Sequence, residues 1–180
     1  MSTSLAASLA PITLPDPEGH ALRLGELWER GPAVLVFLRH YGCIFCRKHA
    51  AQLRAHEDDF RGAGARLAAI GLADRAHART FREETGIGFP LLVDEQREAY
   101  RAAGLGSASV LHLLHRKDIR ARRQARAEGH RQVRLGLGSN PFQLGGSFVF
   151  GPGNVDRFAH VSTTFGDNAD PSALLAALRG

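Results

Sequence analysis

Cys43 and Cys46 are the only cysteines in 180 residues, and two positions separate them. A thiol reacts as its thiolate, so a reactive cysteine needs surroundings that favour negative charge. The pair follows a strand-like run and opens a helical pattern. Cys43 is therefore expected at a helix N-terminus, where unpaired N–H groups and the positive end of the macrodipole lie. Arg39, Arg47 and Lys48 add cations close in sequence. Cys46 comes one turn later and joins an apolar stripe with Ala50, Leu53 and Phe60, which predicts that it is the more buried thiol. The expected division of labour is Cys43 as nucleophile and Cys46 as resolving thiol, since one helical turn brings them within disulfide reach. A framework of structural disulfides is excluded, because one bridge closing so short a loop cannot hold a small secreted domain together.

The same residues can be read as metal ligands. His40, Cys43, Cys46 and His49 recur at intervals of three. If that stretch were all helix, its ends would lie ~13 Å apart at 1.5 Å per residue, too far for one tetrahedral ion with bonds of ~2.0–2.3 Å. No metal or other cofactor is expected from the single chain, and haem attachment through C-x-x-C-H fails because Arg47 follows Cys46. Two cysteines per chain sharing a metal or an iron–sulfur cluster across a dimer remains a non-enzymatic alternative. His40 is a candidate to orient or deprotonate the thiol, against the plainer role of a packing histidine. His112 and His115 are weaker candidates.

The elements that must position this pair follow from the hydrophobic pattern. After a loose N-terminal arm, Ala33 to Leu38 is a continuous apolar run, the pattern of a strand buried on both faces. Helical periodicity from Cys43 to Arg61, stopped by Gly62, predicts one long helix. Leu67 to Leu72 reads as a second strand, and Asp74 as the cap of a helix from Arg75 to Glu84 that Gly86 ends. Phe89 to Val93 is extended, and Asp94 is an N-cap for a helix reaching Gly104. Gly106 to Leu144 carries no clear element. Ser147 to Phe150 and Val155 to Val161 flank Gly151-Pro152-Gly153-Asn154, a turn signal that predicts an antiparallel hairpin. Asp170-Pro171 then opens a last helix from Ser172 to Leu178.

This order predicts an α/β protein, a central mixed β-sheet flanked by helices, in a single domain spanning residues 1–180. With 44% hydrophobic and 23% charged residues the composition is that of an ordinary globular chain. No apolar run approaches the ~20 residues of a membrane span, and Met1 to Ala10 lacks the pattern of a secretory signal, so a cytoplasmic location is expected. The net charge of +5 is concentrated: Leu111 to Arg134 holds eight Lys or Arg against Asp118 and Glu128, leaving the rest near neutrality. No aromatic interleaving accompanies it, so nucleic acid is not an expected partner. A solvated helix face or surface insertion is the expected role, with an anionic partner or substrate as the alternative.

Val34-Leu35-Val36-Phe37-Leu38-Arg39-His40-Tyr41-Gly42-Cys43-Ile44-Phe45-Cys46-Arg47 resembles the active-site segment of the peroxiredoxin-like branch of the AhpC/TSA family, in the thioredoxin-like superfamily. Phe89-Pro90-Leu91-Leu92-Val93-Asp94, the stretch from Tyr100 to Leu105, and Gln143 to Phe150 with Ala159-His160 resemble later parts of it, in order. The resemblance implies a thioredoxin-like fold with a basic insertion before the C-terminal hairpin and the C-x-x-C facing outward at one edge of the sheet. It also implies a thiol-dependent peroxidase acting on a peroxide or hydroperoxide. Cys43 would become a sulfenic acid, condense with Cys46, and be reset by a thioredoxin-like dithiol reductant. Arg39 would stand for the arginine that polarises the peroxide, and a homodimer is the family expectation. Two departures are visible. Relative to Cys43, Val36 and His40 replace the proline and hydroxyl of the family's P-x-x-x-[T/S]-x-x-C. Gly145-Gly146-Ser147 stands where thioredoxins carry a proline opposite the redox pair, and glycine there would allow close backbone approach to the sulfurs. The alternative activity is reduction of disulfides or of an organic substrate such as an endoperoxide, without strong peroxidase activity.

Overall fold

The computed structural model describes residues 3–108, 116–132 and 142–179. His112, His115 and parts of the basic segment lie outside them. Its centre is a five-stranded sheet in the order β5-β4-β3-β6-β7. The central strand β3 (Ala33–Phe37) is buried at every position, as its apolar run requires. It pairs in parallel with β4 (Arg66–Gly71), which pairs in parallel with β5 (Leu91–Val93). On its other side lies the antiparallel hairpin of β6 (Gly146–Gly151) and β7 (Val155–Val161). Its turn places Gly153 and Asn154 at φ of 76° and 60°, the left-handed region that these two residue types tolerate.

The two faces of β3 fill two separate cores, as period-two alternation demands. Val34 and Val36 face α2 (Ile44–Ala55), α3 (Glu57–Gly62), α4 (Arg75–Thr85) and α7 (Pro171–Ala177) through Leu53, Phe60, Phe81 and Leu174. Leu35 and Phe37 face α1 (Leu5–Leu9), the small hairpin of β1 (Thr13–Pro15) and β2 (Ala21–Arg23), and α5 (Glu98–Ala102). The helix caps read in the sequence form as expected at two ends. Asp74 accepts from the His77 N–H at 2.9 Å and Asp170 from the Ser172 N–H at 2.8 Å.

Several expectations change. The N-terminal arm is ordered, because Leu9, Leu24, Leu27 and Trp28 are buried and the Asp156 carboxylate accepts from the Leu5 and Ala6 N–H groups at 2.8 Å. The helix expected from Cys43 to Arg61 divides at His56, and Glu57, Asp58 and Asp59 open the new helix where the macrodipole favours acidic side chains. The helix expected at Asp94 starts four residues later. Arg97 turns through φ 57° and the Asp94 carboxylate reaches forward to the Glu98, Ala99 and Tyr100 N–H groups at 2.9, 2.8 and 3.2 Å. Within the stretch without a clear element, α6 (Arg116–Ala127) packs against α2, with Ala121 and Ala125 turned inward. Among the described residues no helix is long and apolar enough to cross a membrane.

Candidate functional site

The turn between β3 and α2, residues 38–43, is held against the sheet from three directions. The Leu38 N–H donates to the Ile70 carbonyl at 2.8 Å, and Tyr100 donates its hydroxyl to the Leu38 carbonyl and to that of Ile70. Tyr41, buried beneath the turn, donates to the Leu92 carbonyl at 2.6 Å. Its ring occupies the space in which a side chain at Gly71 would have to sit, so a glycine is required there. The Cys43 N–H closes the turn on the His40 carbonyl at 3.1 Å, and Cys43 then forms the N-cap of α2.

Cys43 and Cys46 are free thiols 3.7 Å apart, near enough for side-chain movement alone to bring the sulfurs to disulfide distance. They do not face outward at a sheet edge. The turn leaves the central strand, α6 packs on the helix that follows it, and Cys43 and Cys46 are 1% and 3% exposed. The expectation that Cys46 is the more buried therefore fails too, because both thiols lie in the same hydrophobic core.

Charge separates the two thiols where burial does not. Burial pushes the Cys43 thiol up, but the Cys46 S–H, the Arg39 guanidinium and the N–H groups of Cys46 and Phe45 outweigh it and bring the thiol down to about 6. Burial, and then the neighbouring Cys43 thiolate, hold Cys46 well above the usual thiol range. The first proton therefore leaves from Cys43.

Arg39 is the residue that touches both sulfurs. Its Nη1 donates to Cys43 Sγ at 3.1 Å and its backbone N–H to Cys46 Sγ at 3.2 Å. Nε donates to the Gln143 carbonyl at 2.9 Å, and the guanidinium lies 3.9 Å above the centre of the Phe165 ring. Gln143 is itself fixed: its Nε2 donates to the carbonyls of Gly106 and Leu144 at 2.9 Å, and Arg97 donates to its Oε1 at 2.5 Å. Gly145 lies so close to the Phe37 carbonyl that a Cβ would overlap it. The close approach expected at this glycine is therefore made to the end of β3, which carries Arg39 two residues on, and it serves the backbone of the turn.

His40 is buried, with no hydrogen bond at Nδ1. Burial, followed by the Arg39 charge, lowers it to about 4, so it is neutral at pH 7. His49 lies elsewhere, near Gln52, with His160 and Asp170 acting on it. The ladder of four ligands therefore does not converge, and no group of three His, Cys, Asp or Glu side chains among the described residues is placed to hold a metal ion.

A pocket of about 150 Å³ lies against the cysteine turn; Cys43 does not line it, but Arg39, which does, donates to Cys43 Sγ. Arg39, His40, Ile44, Phe45 and Phe165 form one side; Arg122, Arg126 and Gln132 form the other. Gln132 also accepts from the Ile44 N–H at 3.1 Å, satisfying a first-turn donor of α2 from outside the helix. The basic segment is thus part of the wall of the site as well as a surface. Phe165, Gln143, Gln132 and the two arginines of α6 had no local sequence signal marking them as site residues; only the arginine spacing of four hinted at a common helix face.

The sequence model described as AhpC/TSA antioxidant enzyme matches residues 52–164. A chloroplastic thioredoxin-like protein AAED1 of Arabidopsis thaliana is 28% identical over 162 residues, which is 87% of this chain and 64% of the plant protein. The chain thus spans just under two thirds of that relative. Peroxiredoxin-like 2C of Homo sapiens is 29% identical over 87% of this chain and 72% of its own length. Prostamide/prostaglandin F synthase of Salmo salar is 27% identical over 79% and 71%. Among solved structures, peroxidoxin BcpB from Mycobacterium tuberculosis superposes with a TM-score of 0.68 at 22% identity, covering 93% of this chain and 91% of that one, which shows a shared thioredoxin-like fold. The family match begins late in α2, after both cysteines and β3, and runs through β7, well over half of the sequence: the chain belongs to the peroxiredoxin-like AhpC/TSA antioxidant enzyme family.

Proposed function

We propose that this protein is a thiol-dependent peroxidase in which Cys43 is the peroxide-reactive thiolate and Cys46 resolves it. The observation that carries this reading is the Arg39 guanidinium 3.1 Å from Cys43 Sγ, beside a second thiol 3.7 Å away whose proton is held far more tightly. The Cys43 thiolate attacks the terminal oxygen of R–O–O–H. An S–O bond forms, the O–O bond breaks, and the departing alkoxide takes a proton from water to leave as an alcohol. Cys46 then attacks the sulfenic sulfur, its thiol proton joins the leaving hydroxide as water, and a disulfide remains. Two electrons pass from the dithiol to the peroxide, and an external dithiol of thioredoxin type returns them.

Arg39 has a second role in this reading. Its guanidinium borders the pocket, so its positive charge can stabilise the charge developing on the peroxide oxygens as the O–O bond stretches. His40 occupies the position of the family's hydroxyl residue and, being neutral, can offer its ring to the peroxide without repelling Arg39.

The test is rapid-mixing oxidation of the reduced protein by hydrogen peroxide and by an organic hydroperoxide, with mass spectrometry of the quenched product. Oxidation far faster than that of a free thiol, ending in a Cys43–Cys46 disulfide, is the expected result. A second reading is favoured by the prostamide/prostaglandin F synthase relatives, together with Val36 at the position of the family's proline: reduction of an organic endoperoxide or a disulfide by the same dithiol. Slow reaction with every hydroperoxide, in a protein that still exchanges readily with disulfides, would select it.

A further inference from the structure

The pocket over the cysteine turn, separated from Cys43 by the Arg39 side chain, has an uneven wall. Ile44, Phe45 and Phe165 are apolar, while Arg122 and Arg126 project from the facing helix. Four residues apart on α6, these arginines share one face, next to the inward Ala121 and Ala125. Arg122 is half-buried and Arg126 exposed. Among the described residues no carboxylate pairs with either. Glu128, one turn on, is occupied by Lys48 at 3.1 Å and by Gln124 at 3.0 Å. With Arg39 included, three guanidinium groups line a space that no described carboxylate enters.

Such an arrangement is costly unless it binds something. Like charges on neighbouring turns repel and reduce helix stability, and hydrogen peroxide, being small and neutral, has no use for them. A volume of about 150 Å³ is below the ~300–1,000 Å³ of sites that enclose a drug-sized ligand. It suits the reactive end of a longer molecule, or a small one held whole.

We propose that Arg122 and Arg126 form an anion-binding wall that selects organic hydroperoxides carrying a carboxylate, seating the carboxylate on α6 and the hydrocarbon against Phe45 and Phe165 so that the peroxide meets Cys43. This assignment rests on the peroxidase reading, and the chemistry at sulfur is the one given there, with R bearing the carboxylate through the reaction unchanged. Arg122 and Arg126 act as specificity-determining residues and take no part in the electron transfer.

The experiment compares two pairs of probes that differ only in charge. One pair is a short aliphatic hydroperoxide with a terminal carboxylate and its methyl ester; the other is iodoacetate and iodoacetamide, which alkylate Cys43 with no peroxide chemistry. Each is reacted with the wild type, with Arg122→Gln/Arg126→Gln and with Arg122→Lys/Arg126→Lys. A charge-assisted contact implies that the acid outruns the ester by roughly tenfold or more in the wild type. In the glutamine variant that preference should collapse, and the ratio of iodoacetate to iodoacetamide should fall by a similar factor, while the rates of both neutral probes stay within about twofold. The lysine variant should recover part of each preference, which a purely structural role for α6 would not produce. Unchanged ratios in the glutamine variant for both pairs would overturn the proposal. If no hydroperoxide oxidises Cys43 faster than a free thiol and the iodoacetate ratio still falls, the anion wall stands and the peroxidase reading fails.

Discussion

Replacing Arg39 by glutamine removes the cation 3.1 Å from Cys43 Sγ and leaves α2 in place. A hydrogen bond to a charged group is worth ~1.5–3 kcal/mol, which is ~1–2 pKa units. The Cys43 thiol, at about 6 in the native protein, should therefore rise to ~7–8. For a rise of 1.5 units the thiolate fraction at pH 7 falls from ~0.9 to ~0.25, about fourfold. Intrinsic nucleophilicity moves the other way: with a Brønsted slope of ~0.4–0.5 the more basic thiolate is about fivefold faster. The two effects nearly cancel at pH 7, so a single rate there is blind to the change. At pH 5.5 the variant should alkylate about fivefold more slowly than the wild type, and at pH 9 about fivefold faster. The assay is the full pH profile of iodoacetamide alkylation, read by mass spectrometry on Cys43. Arg39→Lys keeps a cation but cannot span Cys43, Gln143 and Phe165 together, and should give an intermediate midpoint. A midpoint in Arg39→Gln that stays within about 0.3 units of the wild type, far below the effect of one charged hydrogen bond, would refute the assignment of Arg39 as the group that ionises Cys43.

Cys43→Ser should abolish turnover, whereas Cys46→Ser should retain the first oxidation and accumulate a sulfenic acid that a dimedone-type reagent captures; equal loss of that oxidation in both would end the division of labour. Gly145→Ala drives a Cβ into the Phe37 carbonyl and should lower stability by about 1–3 kcal/mol, measured by urea denaturation. His49 is buried and lowered by that burial from 6.5 to about 4 in the folded chain. Between those values the unfolded chain binds the extra proton, so stability is full above pH 6.5 and is lost as pH falls toward 4, by about 3 kcal/mol. His49→Gln should flatten that acid limb of the denaturation midpoint, and an unchanged slope would show that His49 ionises equally in both states.

The place of the cysteine pair between a strand and a helix, and the mixed sheet around it, were legible in the primary structure because each rests on local rules. Ala33 to Phe37 is apolar at every position since β3 has a core on both faces, and Asp74, Asp170 and Gly153-Asn154 mark caps and a turn through their own backbone chemistry. The break at His56 and the late start of α5 were not legible, because their causes, a run of acids in a new first turn and a carboxylate reaching four residues ahead, compete with an intact helical period. For Cys43 and Cys46 the sequence predicts a contrast in charge and in burial, but the structure gives them nearly equal burial and a charge contrast set by tertiary geometry. Both are buried, and the difference arises from the Cys46 S–H bonded to Cys43 and then from where Arg39 points, which Gln143, Phe165 and Gly145 settle from more than 100 positions away. The basic segment shows the same limit from the other side. Composition revealed its charge, but only the packing of Ala121 and Ala125 against the core set two of its arginines in the pocket with Arg39, because long-range contacts, unlike helical spacing, are decided by which apolar faces the whole chain must bury.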